Sequence, residues 1–138
     1  MKYKKLNIDW NAEPNAPDVE LQVDGDKLRV EFYLNPFIFD NVKEEDKGEL
    51  IFNDCYQFSF NSCNDEGYYL GQYRYTNDML PWGEFYELQH DWEKDFHKDF
   101  KILNPSIDKG QLRHYIFFFR DNTLECISKD FGFRHLKN

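Results

Sequence analysis

Residues 112–127 constrain this chain more than any other stretch. Two β-forming runs, Leu112-Arg113-His114-Tyr115-Ile116-Phe117-Phe118-Phe119 and Leu124-Glu125-Cys126-Ile127, flank Arg120-Asp121-Asn122-Thr123. Asp and Asn tolerate positive φ in tight turns, so the segment reads as an aromatic hairpin with Asp121 and Asn122 as its loop. That register sets Arg120 opposite Thr123, Phe119 opposite Leu124, Phe118 opposite Glu125 and Phe117 opposite Cys126. Side chains alternate between faces, so Tyr115, Phe117, Phe119, Leu124 and Cys126 share one apolar face. Ile116, Phe118, Arg120, Thr123, Glu125 and Ile127 share the other. A carboxylate among apolar neighbours needs a partner, and this register offers Arg120 diagonally across the strands.

A second hairpin is written into residues 18–34. Val19, Leu21 and Val23 alternate with polar residues up to Asp24-Gly25, and Leu28, Val30, Phe32 and Leu34 continue the apolar face. A two-residue Asp24-Gly25 loop predicts Leu21 opposite Leu28, Val19 opposite Val30 and Glu20 opposite Arg29. Upstream, residues 1–17 end in Glu13-Pro14-Asn15-Ala16-Pro17 and read as a loosely structured lead-in to a single domain spanning 1–138. Downstream, Asp40–Gly48 is a charged loop. A strand follows over Glu49–Phe60, with Leu50, Phe52, Tyr56, Phe58 and Phe60 on one face and Asn53, Cys55, Gln57 and Ser59 on the other. Asp54 interrupts that pattern and marks a β-bulge or a site.

Tyr-rich residues 68–75 and residues 84–89 add strand-like segments, and residues 91–98 predict one short helix, with Asp91 as its cap and His97 and Lys98 at its end. Phe131-Gly132-Phe133 adds a last strand. The expected architecture is mainly β: an antiparallel sandwich or half-open barrel of about seven or eight short strands with one short helix.

Composition narrows function. With 14 Phe, 9 Tyr and 3 Trp, the core is built from rings. The net charge is −9, unevenly spread: residues 1–97 hold 9 basic and 21 acidic side chains, and residues 98–138 hold 8 basic and 5 acidic. A nucleic-acid ligand is not expected, because phosphate binding needs a cationic footprint. An acidic surface suits a basic protein partner, and Glu84, Glu87, Asp91 and Glu93, with Arg120 and Glu125, are the candidate binding residues. No segment approaches the roughly 20 apolar residues of a membrane span, and Met1-Lys2-Tyr3-Lys4-Lys5 is not followed by an apolar export stretch, so no membrane and a cytoplasmic location are expected.

The run His114–Cys126 resembles the C-terminal signature of a family of small uncharacterised bacterial proteins. Asn64-Asp65-Glu66, and Phe85-Tyr86-Glu87-Leu88 followed by Trp92, are similar to upstream pieces of that family. The resemblance covers about the C-terminal half of the chain and implies fold and boundaries, with no activity attached. Many members of that family carry His at the position of Arg120 and Ser at that of Asn122, so the resemblance implies no catalytic histidine there in this chain.

Chemistry-bearing constellations are few. His90, Glu93 and His97 have partial metal spacing without a third histidine or a cysteine, and a charged helix flank explains them. Cys55, Cys63 and Cys126 are an odd set read as free thiols. No phosphate-binding glycine loop is present, and no cofactor or metal is expected. The enzymatic alternative is carboxylate acid–base chemistry around Glu125, with His114, Asp54 and Asp65 as further catalytic candidates. A non-enzymatic interaction domain, in one form an acidic immunity-type inhibitor of a basic toxin or nuclease, is the leading expectation.

Overall fold

The computed structural model describes residues 2–62, 80–94 and 100–138. Among the described residues eight strands form one open antiparallel sheet: β1 (Lys2–Lys5), β2 (Glu20–Asp24), β3 (Lys27–Tyr33), β4 (Lys47–Asn61), β5 (Phe85–Gln89), β6 (Lys101–Ile102), β7 (Arg113–Phe118) and β8 (Thr123–Leu136). The spatial order is β1-β5-β7-β8-β4-β3-β2, and β6 pairs with β4 beside this path. The half-open, mainly β expectation therefore holds.

The sheet curls around its aromatic side chains. Phe85 on β5 meets Phe52 on β4 at 6.0 Å although β7 and β8 lie between those strands, and Phe85 also meets Phe131 edge-on at 5.1 Å. Phe32, Phe117 and Phe119 pack together at the same centre, with Phe117 and Phe119 stacked at 4.1 Å. The opposite face of β5 and β7 carries a smaller buried cluster of Leu80, Tyr86, Leu88, Ile116 and Phe118. Burial against ring systems on both faces explains why β7 reads as an almost continuous apolar run.

The faces of both hairpins follow the sequence pattern, but both registers are shifted by two residues. In the first, Leu21 opposes Val30, Val23 opposes Leu28 and Glu20 opposes Glu31. Gly25 and Asp26 make the loop, with Gly25 at φ +64°. A loop with positive φ at its first central residue favours glycine there, and an Asp24-Gly25 loop would have placed Asp24 at that position. The Glu20 and Glu31 carboxylates are offset by Lys47 on β4, whose Nζ lies 3.3 Å from Glu31; that hydrogen bond raises the lysine pKa.

In the second hairpin, Phe118 opposes Thr123, Phe117 opposes Leu124 and Ile116 opposes Glu125. The loop is longer, closed by Phe119 N donating to Asn122 O at 2.9 Å. The two-residue loop would have laid the Arg120 guanidinium on the same buried face as Ile116 and Phe118. The longer loop instead leaves Arg120 half exposed and keeps Phe119 in the core.

Four further expectations are corrected. Residues 2–17 are integrated into the fold: β1 edges the sheet, Trp10 stacks on Phe133 at 4.0 Å, and Glu13 N donates to Tyr33 O. In β4 the pattern does break at Asp54, whose φ is +48°, but the register shift against β8 falls between Cys55 and Gln57; Cys55 is fully buried and Tyr56 is half-buried beside Trp92. Phe131 and Phe133 belong to the continuous strand β8 rather than to a separate one. The expected helix is a single 3-10 turn at Trp92–Lys94 among the described residues. Residues 95–98 of that helix, the strand around 68–75, Cys63, Asp65 and His97 lie outside them.

Candidate functional site

Glu125 is fully buried on β8, and its partner is His114 on β7. The carboxylate Oε1 lies 2.8 Å from His114 Nε2, and His114 Nδ1 lies 2.8 Å from Nε2 of the half-buried His90. A carboxylate only accepts, so His114 Nε2 carries the hydrogen. When His114 is neutral its Nδ1 accepts from His90 Nε2–H; when it is charged it donates through both nitrogens. The anticipated Arg120–Glu125 pair does not form. Arg120 Nη1 donates to the Asn15 carbonyl, and its Nε lies 3.9 Å from Asp121. The two-residue shift in register is the cause, since it carries Arg120 into the loop and His114 to within reach of Glu125.

Ser59 extends this buried polar group. It opposes Glu125 from β4 and is buried, and its Oγ has no hydrogen-bond partner among the described residues. Alternation along Glu49–Phe60 places Ser59 on the face away from Leu50 and Phe52, but only the β4–β8 register brings it beside Glu125.

The proposed acidic binding face is partly consumed by internal contacts. Glu84 accepts from Asn7 and Asn11 and lies 3.4 Å from Lys5 Nζ, and Glu87 lies 3.6 Å from Arg113. Asp91 caps Glu93 N and lies 3.8 Å from Lys94, while Glu93 remains exposed. Glu84 and Arg120 do share a cleft of about 300 Å³, together with Trp82, Phe118 and Asn11.

A second acidic surface was not singled out from the sequence. Glu13, Asp18, Glu44 and Glu45 line a groove of about 400 Å³ beside Tyr33 and Phe37. Phe37 is 68% exposed, and Ile38 next to it is 67% exposed. Asp18 and Glu45 hold positive φ values of 47° and 67°. The charged loop at 40–48 was legible as such. Its convergence with residues 13–18 was not, because Pro17 O accepting from Tyr33 N and Asp46 O accepting from Leu34 N bring the two loops together.

Asp54 holds φ +48°, just before the register shift between Cys55 and Gln57, and lines a cleft of its own, apart from Glu125. Cys55 and Cys126 are buried free thiols with their sulfurs 3.4 Å apart. Burial and the hydrogen bond to Cys55 push the Cys126 thiol pKa well above its ordinary value. Burial also pushes Tyr115 up to about 12. Among the described residues no cluster of three His, Cys, Asp or Glu side chains could hold a metal ion, and no helix is long and apolar enough to cross a membrane.

No family model, curated protein or solved structure matches the chain.

Proposed function

We propose that this chain is a non-enzymatic interaction domain whose partner is a basic protein, in the manner of an immunity-type inhibitor of a basic toxin or nuclease. The observation that carries this reading is the groove lined by Glu13, Asp18, Glu44 and Glu45 with Phe37, next to the exposed Ile38. Exposed aromatic and aliphatic side chains give a docking partner desolvated contact area, and the surrounding carboxylates steer a cationic surface towards it. The chain's net charge of −9 adds long-range attraction of the same sign preference.

The test is affinity capture from the native cell with the wild-type chain and with a Glu44→Lys/Glu45→Lys variant. A basic protein is expected on the wild-type chain only, released progressively as salt rises. Capture that is indifferent to salt, or equal on both chains, removes the reading.

A second reading, acid–base catalysis, is favoured by one observation: the Glu125–His114–His90 chain links a half-buried imidazole to a fully buried carboxylate. Such a chain can hold and pass a proton without crossing solvent. Under this reading Glu125→Gln abolishes turnover while the fold survives. A hydrolysis screen in which wild type and Glu125→Gln are equally inactive counts against it.

A further inference from the structure

The open sheet ends in two free edges of opposite charge. Among the described residues β1 pairs only with β5 and β2 only with β3. One edge strand is Lys2-Tyr3-Lys4-Lys5 and the other Glu20-Leu21-Gln22-Val23-Asp24. An edge presents backbone N–H and C=O groups that can template a further strand, and lysines on it repel a like edge. Here the second edge carries carboxylates.

The backbone bonding identifies each free row. Leu34 N donates to Asp46 O on the β4 side, and Tyr33 N donates to Pro17 O on the β2 side. Bonding alternates along an antiparallel strand, so the even-numbered residues of β3 serve β4 and the odd-numbered ones serve β2. The β2 partners of those odd residues are Glu20, Gln22 and Asp24, which leaves the N–H and C=O groups of Leu21 and Val23 at the free edge. On β1, Leu6 N donates to Phe85 O, and the same alternation commits Lys4 and Lys2 to β5. Tyr3 and Lys5 face outwards.

The side chains match as the backbones do. Leu21 packs against the core, and Val23 on the same face is 48% exposed because no strand flanks it. On the other face Glu49, Glu31 and Glu20 stand opposite one another across β4, β3 and β2. Arg29 and Arg134 meet Glu49 and Lys47 meets Glu31, but the row reaches the edge at Glu20 with no cation at ion-pair distance among the described residues. On β1, Tyr3 shares a face with Leu88 and meets Tyr86 edge-on at 5.5 Å, while Lys2 and Lys4 share the other.

We infer that copies of this chain associate edge to edge, β1 of one adding antiparallel to β2 of the next. The topology decides the direction. Six antiparallel steps separate β1 from β2, so the two run the same way in one sheet. Identically oriented copies would pair them in parallel and set Lys2 and Lys4 beside Leu21 and Val23. Turning the second copy over makes the pair antiparallel and exchanges its faces. Tyr3 then opposes Leu21 with both free backbone rows aligned, Lys4 opposes Glu20, and Lys2 opposes Gln22, diagonal to Glu20 and Asp24. Opposite charges on facing cross-strand positions attract, and Lys4 closes the carboxylate row. The net charge of −9 repels at a distance, but at about 0.15 M salt charges more than about 8 Å apart are screened and the facing pairs dominate. Each copy keeps one free edge of each kind, so the contact is heterologous and can extend.

Sedimentation equilibrium of the full chain at about 0.15 M salt, from micromolar to millimolar concentration, tests this. The weight-average mass of the wild-type chain should rise above that of the monomer, and concentration-dependent amide shifts in ¹⁵N spectra should centre on Tyr3, Lys5, Leu21 and Val23. Glu20→Lys and Lys4→Glu should each abolish the rise, since each sets like charges face to face. An equimolar mixture of the two variants should regain it, because the substituted positions meet across the contact, and that recovery also shows that both variants fold. A wild-type chain that stays monomeric throughout overturns the inference. So does association retained by both single variants, or a mixture that remains monomeric.

Discussion

Glu125 Oε1 and His114 Nε2 lie 2.8 Å apart on neighbouring strands, and the two side chains are 0% and 2% exposed. A buried carboxylate is tolerated in this sheet because an imidazole N–H meets it from β7. Removing one member of a buried, hydrogen-bonded pair exposes the other to its full desolvation cost, so His114→Leu is expected to destabilise the fold by about 3–5 kcal/mol. Glu125→Gln keeps the shape and an acceptor and should cost about 1–3 kcal/mol. Urea unfolding of both variants checks this, and a His114→Leu loss below about 1 kcal/mol would mean that the pair contributes little to holding β7 and β8 together.

The Asp46 carboxyl is held down at about 2, below its ordinary 3.8, chiefly by the backbone N–H of Asn138, then by that of Lys43 and by His135 at 2.7 Å. A depressed pKa makes the carboxylate stabilising above pH 3.8, and that contribution disappears as pH falls through about 2. Acid should therefore loosen the contact between the C-terminal end of β8 and the loop before β4. Stability measured between about pH 5 and pH 2 is expected to fall more steeply in the wild-type chain than in Asp46→Asn, which starts less stable at neutral pH. Parallel slopes would contradict the assignment.

Gly48 and Gly132 make a matched pair for testing how tightly the curled sheet is packed. A Cβ on Gly48 would stand 2.9 Å from Leu34 Cδ2 and from Phe133 Cε1, and 3.0 Å from Phe32 Cζ. Nothing lies within 4 Å of a Cβ on Gly132. Gly48→Ala is expected to cost about 1–3 kcal/mol through overpacking of the ring cluster. Gly132→Ala should be neutral or stabilising by about 0.5–1 kcal/mol, through reduced freedom of the unfolded chain. Denaturation midpoints of the two variants give the comparison, and equal shifts would refute the close approach at Gly48.

Local alternation determined which residues share a face. Tyr115, Phe117, Phe119, Leu124 and Cys126 line the core as their spacing requires, and Leu28, Val30 and Phe32 do so on β3. A shift of two residues preserves this parity, so the sequence pattern is equally content with either register of both hairpins. Choosing between them takes energies that local spacing does not contain: the cost of burying Arg120, the stacking of Phe119 on Phe117, and the positive φ that Gly25 accepts more cheaply than Asp24. That choice replaced Arg120 with His114 as the partner of Glu125. The break at Asp54 was visible in the pattern, whereas its outcome, Cys55 inside and a register shift before Gln57, depended on contacts with Asp26 and Cys126 far along the chain. The acidic groove lay furthest from view, because exposed loops carry no periodicity and only the folded backbone brings Glu13, Asp18, Glu44 and Glu45 together.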